Sequence, residues 1–267
     1  MNRLVLPIFA TAALLVTHSA QGGITYNFQS ISSGMTATTL AGRVEAEGAN
    51  VRVDVSTGDG KLFKDKSIIF SHDGGKTISV VDLQARTYYD LGIDQMTQGP
   101  NSLFGASGLF KVSAQNPNVA VREEGSGGAL EGFPTKKKMV DSSYDLVVDA
   151  GGQKLTMHIK TRTETWTTDR IDAGYANFLM ANGMRSGIEA VDKLMEARGA
   201  IHMSGFPLKQ IVSITISQGG SDQESTTSST VSGVVTRNTP PADFQLPPGL
   251  TKTDDPIKSM MKQLGVQ

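Results

Sequence analysis

The sequence predicts an α+β fold: one antiparallel β-sheet whose apolar face is covered by amphipathic helices. Three observations carry this. Short alternating segments recur at roughly ten-residue spacing with turn residues between them. Two stretches, 172–199 and 255–265, repeat apolar residues at helical spacing. The chain holds 29 glycines and 10 prolines among many serines and threonines, which marks frequent turns rather than a helix bundle.

Composition bounds the function. The chain has 267 residues, 38% of them hydrophobic and 19% charged, with a net charge of −1. That balance fits a packed core and supplies no excess of cations for nucleic acid. Residues 1–22 read as a secretory signal peptide: Arg3, then an apolar run from Leu4 to Val16, then the small and polar Thr17 to Gly22. Cleavage fits after Ala20 or after Gly22. A run of about 13 residues is too short to cross a bilayer, so an integral membrane protein is not expected. There is no cysteine, which removes disulfides, thiolate nucleophiles and lipidation of an N-terminal Cys. A mature chain of roughly 245 residues is long enough to hold itself together without them. Residues 23–267 read as one domain, periplasmic or secreted.

The strands follow in order. Ile24–Phe28 alternates, and Leu40–Glu47 follows it. Val51, Val53 and Val55 share one face, with Arg52 and Asp54 on the other. Ser67–Ser71 comes next, then a tight turn at Asp73–Lys76. Thr77–Asp82 and Thr87–Leu91 close a meander. Residues 93–116 read as a loop with one short helix. A second block runs over 117–167. Asn118–Glu123 alternates, Ala129–Pro134 ends a strand, and Lys136, Lys137 and Lys138 form the densest charge run. Lysines of this kind protect an edge strand, or else meet an anionic partner. Tyr144, Leu146 and Val148 share one face. After a turn at Gly151–Gly152, Leu155, Met157 and Ile159 share the next. Trp166 falls in phase with the polar face, marking a bulge, the sheet edge or a partly covered second face.

The helices come next. Asp172 caps a helix through Asn182. Ser186 and Glu189 fit a capping box, with Ile188, Val191, Leu194 and Met195 at helical spacing up to Gly199. Strands resume with Val212, Ile214 and Ile216. Ser221–Thr230 reads as a polar hairpin tip, and Val231–Thr236 returns. The prolines of 240–248 forbid helix. Pro256 opens a last helix with Ile257, Met260, Met261 and Leu264 on one face.

Motifs for chemistry do not assemble. His72, His158 and His202 lack partners at metal-ligand spacing. Gly75-Lys76-Thr77 follows no glycine where a phosphate loop needs one and joins two strands. Ser259 and Lys262 match an S-x-x-K spacing with nothing around them to complete an acyl-enzyme site. Asp54, Asp59 and Asp65 miss the spacing of a calcium loop. No catalytic, metal or cofactor residue is assigned, and an enzyme is not expected.

The order of elements, with Gly42–Gly48, Val51–Asp54, Asp73–Thr77, Tyr88–Leu91, Leu130–Phe133, Gly205–Leu208 and Phe244–Gly249, resembles the bacterial outer-membrane lipoprotein-sorting (LolA/LolB-like) superfamily over roughly residues 24–250. The nearest likeness is to its uncharacterised secreted domains. The resemblance implies a curved half-barrel whose concave face is covered by helices over a cavity for acyl chains. Phe178, Met180, Met184, Leu194 and Met195 are then the candidate lining residues, since methionine suits adaptable apolar surfaces. The expected partner is a lipid or lipoprotein. The alternative is a structural or interaction module that meets an envelope protein and takes no small ligand.

Overall fold

In a computed structural model, the structure describes residues 22–34, 37–58, 63–92, 110–172, 174 and 205–255. These form one open, curved sheet of twelve strands. The strands are β1 (Ile24–Gly34), β2 (Thr38–Glu47), β3 (Asn50–Thr57), β4 (Ile68–Ser71), β5 (Thr77–Asp82) and β6 (Thr87–Gly92), then β7 (Phe110–Leu130), β8 (Phe133–Ala150), β9 (Gln153–Thr168), β10 (Phe206–Gln218), β11 (Ser221–Thr236) and β12 (Thr251–Lys252). Their order across the sheet is β12-β6-β5-β4-β3-β2-β1-β11-β10-β9-β8-β7. All pairs are antiparallel except β12 with β6. The first and last halves of the chain therefore meet at β1–β11.

The α+β class is corrected to all-β. Among the described residues the helical element is a 3-10 turn, Pro241–Phe244, and no α-helix covers the concave face. The segments expected as helices, 172–199 and 255–265, lie outside the described residues apart from Asp172, Gly174 and Asp255. The sheet covers itself instead. Ile24, Tyr26 and Phe28 of β1 share a face with Val44 and Ala46 of β2, and with Val51, Val53 and Val55 of β3. Ile69, Ile78, Val80 and Leu91 continue that layer. Ile171, Phe206 and Leu208 fold onto it, and so do Leu130 and Phe133 beside the β7–β8 turn. Burial of this kind stabilises by about 1.5–3 kcal/mol for each large apolar side chain. It needs only that the far end of the sheet curl back.

Local chemistry makes the curl. The last three hairpins each turn on two residues at positive φ: Glu131–Gly132, Gly151–Gly152 and Gly219–Gly220. Such turns match the right-handed twist of long strands. Register shifts between Pro207 and Lys209, between Thr25 and Asn27 against β11, and at three places along β7 bend the ribbon further.

The opposite face of β3–β6 is also covered. Ile68, Phe70 and Val81 are buried beneath Leu246 and Leu250 of the C-terminal stretch. Arg52 holds that stretch down. Its Nη1 donates to the Asp243 carbonyl at 3.3 Å, its Nη2 pairs with Asp54 at 2.9 Å, and its guanidinium lies 5.8 Å from the Phe70 ring centre. Backbone bonds from Thr251 to Arg86 and from Thr253 to Tyr88 complete the strap.

Other boundaries move. Residues 110–116 open β7 rather than close a loop, and 93–109 lie outside the described residues. Ser221–Thr230 is not a hairpin tip but the first ten residues of β11, because the turn is made at Gly219–Gly220. Its hydroxyls find cross-strand partners, Ser32 with Thr227 at 2.9 Å and Ser229 with Ser30 at 3.0 Å. Among the described residues no helix is long and apolar enough to cross a membrane.

Gly42 tests the packing. It lies opposite Phe28, and a Cβ there would stand 2.5 Å from the Asp54 carbonyl oxygen and 3.0 Å from the Phe28 ring. Gly42→Val is expected to destabilise by about 1–3 kcal/mol through overpacking. The midpoint of urea unfolding measures it; an unchanged midpoint would show that this part of the core is loosely packed.

Candidate functional site

The apolar face is not filled everywhere. A cleft of about 140 Å³ opens where β1, β2, β10 and β11 curve together. Its apolar wall is Tyr26, Phe28, Leu40, Phe206, Leu208 and Val231. Ser30, Ser229 and Gln210 stand further along the same strands and make the polar side. Alternation on β1 puts Tyr26, Phe28 and Ser30 on one face, opposite Val44, Gly42 and Leu40 of β2. On β10 the register shift next to Leu208 leaves Phe206, Pro207 and Leu208 all buried.

Tyr26 and Phe206 fix the geometry. Their ring centres are 5.3 Å apart at 82°, an edge-to-face pair. Both are essentially inaccessible. Burial pushes the Tyr26 phenol far above its usual range, so it stays a neutral hydroxyl. The cleft can exclude water and hold an apolar group. Its walls present no nucleophile–base pair and no set of metal donors. Among the described residues no group of three His, Asp or Glu side chains comes together as a metal site.

The second face of β7–β10 has the opposite character. It carries a shallow polar hollow of about 550 Å³ lined by Asp141, Ser143, Lys160, Arg162, Glu164, Ser213 and Thr215 among others. Cross-strand register stacks its charges in pairs. Asp141 accepts from Arg162 Nε at 2.8 Å and also from Arg122. Asp145 accepts from Asn116 at 2.7 Å and pairs with His158 Nδ1 at 2.6 Å. Lys137 bridges Glu124 at 2.9 Å and Glu164 at 2.8 Å. The Arg162 hydrogen bond is the main force holding the Asp141 carboxyl below its ordinary range.

The sequence-derived candidates separate cleanly. Phe178, Met180, Met184, Leu194 and Met195 lie outside the described residues, as do Met260, Met261, His202, Asp59, Ser259 and Lys262. The lysine run is not on an edge. β8 lies between β7 and β9, and the run is neutralised within the fold. Lys136 meets Asp169 at 2.6 Å and Lys138 meets Glu123 at 3.4 Å, beside the two carboxylates on Lys137. Trp166 marks a partly covered second face: Lys137 and Lys209 stand 5.1 and 4.9 Å from its ring centre. His72 bonds Asn50, and Asp65 accepts from the Gly58 amide. The cleft residues went unnoticed as a site. Tyr26 and Phe28 were legible as a strand face, and Phe206 and Leu208 only as part of the Gly205–Leu208 stretch that carries the family resemblance. Their convergence across β11 was not.

A depressed carboxylate pKa contributes stability that is complete above the ordinary value, 3.8 for Asp141, and is lost as pH falls through the folded value. Asp141→Asn is therefore expected to flatten the acid limb of a thermal-stability profile below that pH while the neutral plateau falls. A wild-type acid limb unchanged in the variant would place the titrating groups elsewhere.

No protein-family model matches the chain, and no curated protein matches it. Among solved structures, a LolA superfamily protein from Nitrosomonas europaea aligns over 85% of this chain and 91% of its own length, at 11% identity and a TM-score of 0.32. At that score the likeness carries no argument about fold or function.

Proposed function

We propose that this protein is a non-catalytic, exported envelope protein that binds one small apolar group, a ring or the end of a single acyl chain, in the cleft between β1, β2, β10 and β11. The observation that carries this is the cleft itself. An apolar hollow walled by buried aromatic and aliphatic side chains, with a few polar groups along one side, is the usual form of a small-ligand site. Its volume sets the class. A cavity of about 150 Å³ lined by apolar side chains stays dry and holds benzene. A cleft of about 140 Å³ takes a group of that size and not several acyl chains at once. The leader-like pattern of residues 1–22 supports export.

The alternative, an interaction module recognised through Lys136, Lys137 and Lys138, has less behind it. Each of those ammonium groups already meets a carboxylate of its own chain.

A series of saturated fatty acids from hexanoate to palmitate, competing with the fluorescent cis-parinaric acid, tests the reading. Affinity is expected to rise by about fourfold per added methylene, the ~0.8 kcal/mol of each buried CH₂, and then to level off once the cleft is full. Ser229→Phe fills the cleft and should abolish uptake while the unfolding midpoint stays near wild type. No uptake by the wild type, or equal uptake by the filled variant, overturns the proposal.

A further inference from the structure

The turn between β7 and β8 reaches a long way to close the concave face. Glu131 lies three strands from β11 in the sheet order, yet its Oε2 accepts a hydrogen bond from the Gly233 amide at 3.0 Å. That amide is free to donate because β11 holds extra residues here. Thr25 pairs with Val235 and Asn27 with Ser232, which leaves Gly233 and Val234 outside the regular ladder. Gly233 sits at φ +61. Leu130 and Phe133, flanking the turn, pack on the core cluster that includes Tyr26, Phe28, Phe206 and Leu208. Those four residues also wall the cleft.

Two further features concern movement. The neck of the hairpin is broken twice, with register shifts between Glu123 and Gly125 and between Ser126 and Gly128. Gly125 and Gly128 hold φ of +81 and +80. The tip itself is strained. Glu131 adopts φ +51, a left-handed conformation that suits glycine or asparagine and crowds the Cβ of a longer side chain. Its carboxylate contact with Gly233 offsets that strain only while the tip is docked.

We propose that the β7–β8 tip is a hinged flap at the border of the apolar cleft, bending at Gly125–Gly128 and latched by Glu131 on the Gly233 amide. This rests on the reading of the cleft as a ligand site. Docked, the tip packs Leu130 and Phe133 on the core cluster behind the cleft, and its latch on Gly233 stands two residues from Val231 of the cleft wall. Released, it takes that cover off the cluster to which the cleft walls belong. Opening breaks the Glu131–Gly233 hydrogen bond and exposes Leu130 and Phe133, which are already partly exposed, so it costs far less than unfolding the sheet.

Glu131→Gln keeps the shape of the side chain and removes its charge. Amide hydrogen exchange and stopped-flow uptake of cis-parinaric acid are measured on the full chain and on this variant. The Gly233 amide and those of residues 128–133 are expected to exchange together, about tenfold faster in the variant, while Gln210–Ile216 stay protected. Association and dissociation of the probe are both expected to speed up several-fold at a nearly constant Kd. Released amides with unchanged probe rates would make the tip a static cap and overturn the gate. Tip amides that exchange only on global unfolding would overturn the hinge. A wild type that takes up no probe overturns the ligand reading, and with it the gate, while the exchange data still decide whether the tip hinges.

Discussion

The structure depends on one constraint: an open antiparallel sheet must hide a whole apolar face, and among the described residues it does so without a helix. The Tyr26–Phe206 pair shows how. These rings belong to strands separated by β11, and a flat sheet would hold them too far apart to touch. At 5.3 Å between ring centres they are in edge-to-face contact, so the ribbon is strongly curved at this point. The same curvature places Leu130, Phe133 and Ile171 on the valine layer of β2 and β3. A curved sheet packs less evenly than a sheet against a helix, since its strands diverge as they turn. The cleft at β1–β11 is the geometrical remainder of that divergence.

The two halves of the sheet solve their second face differently. Along β3–β6 that face is apolar enough to need cover, and the proline-rich stretch after Thr239 supplies it. Proline cannot donate to a ladder, which suits a strap that crosses strands rather than joins them. Along β7–β10 the second face is wet, and its charges are matched across strands. Asp141 between Arg122 and Arg162, and Lys137 between Glu124 and Glu164, are ladders of alternating sign. Exposed pairs of this kind contribute little each, typically under about 1 kcal/mol. Their larger effect is on register, because a one-residue slip would take Asp141 off Arg162 and set it against Thr161 or Thr163, and turn the apolar face outward.

How much of this was legible follows from the range of each signal. Strict alternation in Val51–Val55 located β3, and the glycine pair Gly151–Gly152 located the β8–β9 hairpin, because both signals are local. Ser221–Thr230 misled because ten polar residues look like a loop until the facing strands supply hydroxyl partners. The lysine run misled for a related reason. Alternation shows which face a lysine takes but not whether another strand lies beyond it, and β7 was partly hidden by the Gly- and Asn-rich stretch before it. The helical periodicity of 172–199 prompted a two-layer fold, since amphipathic helices are the usual cover for a one-sided sheet. Nothing local announced that a hairpin tip would do part of that work. Tyr26, Phe28 and Phe206 become a site only through a contact almost two hundred residues apart in the chain.

An open sheet also has to manage its edges, and the two here are unequal. β12 is two residues long and pairs in parallel with β6, which leaves little backbone to recruit another chain. β7 is 21 residues long and, among the described residues, pairs only with β8. A flat strand of that length would be a template for aggregation. This one is interrupted. Asn116 sits at φ +52 before Pro117, and three register shifts break the run of edge groups into short lengths. Arg122 and Glu123 add charge at the end of the regular stretch Asn118–Glu123, and Glu124 adds it at the shift that follows. The bulges that protect the edge are also the bends that carry the hairpin tip back over the core. One set of irregularities therefore satisfies two demands, closing the apolar face and keeping the outer strand from pairing with a second chain.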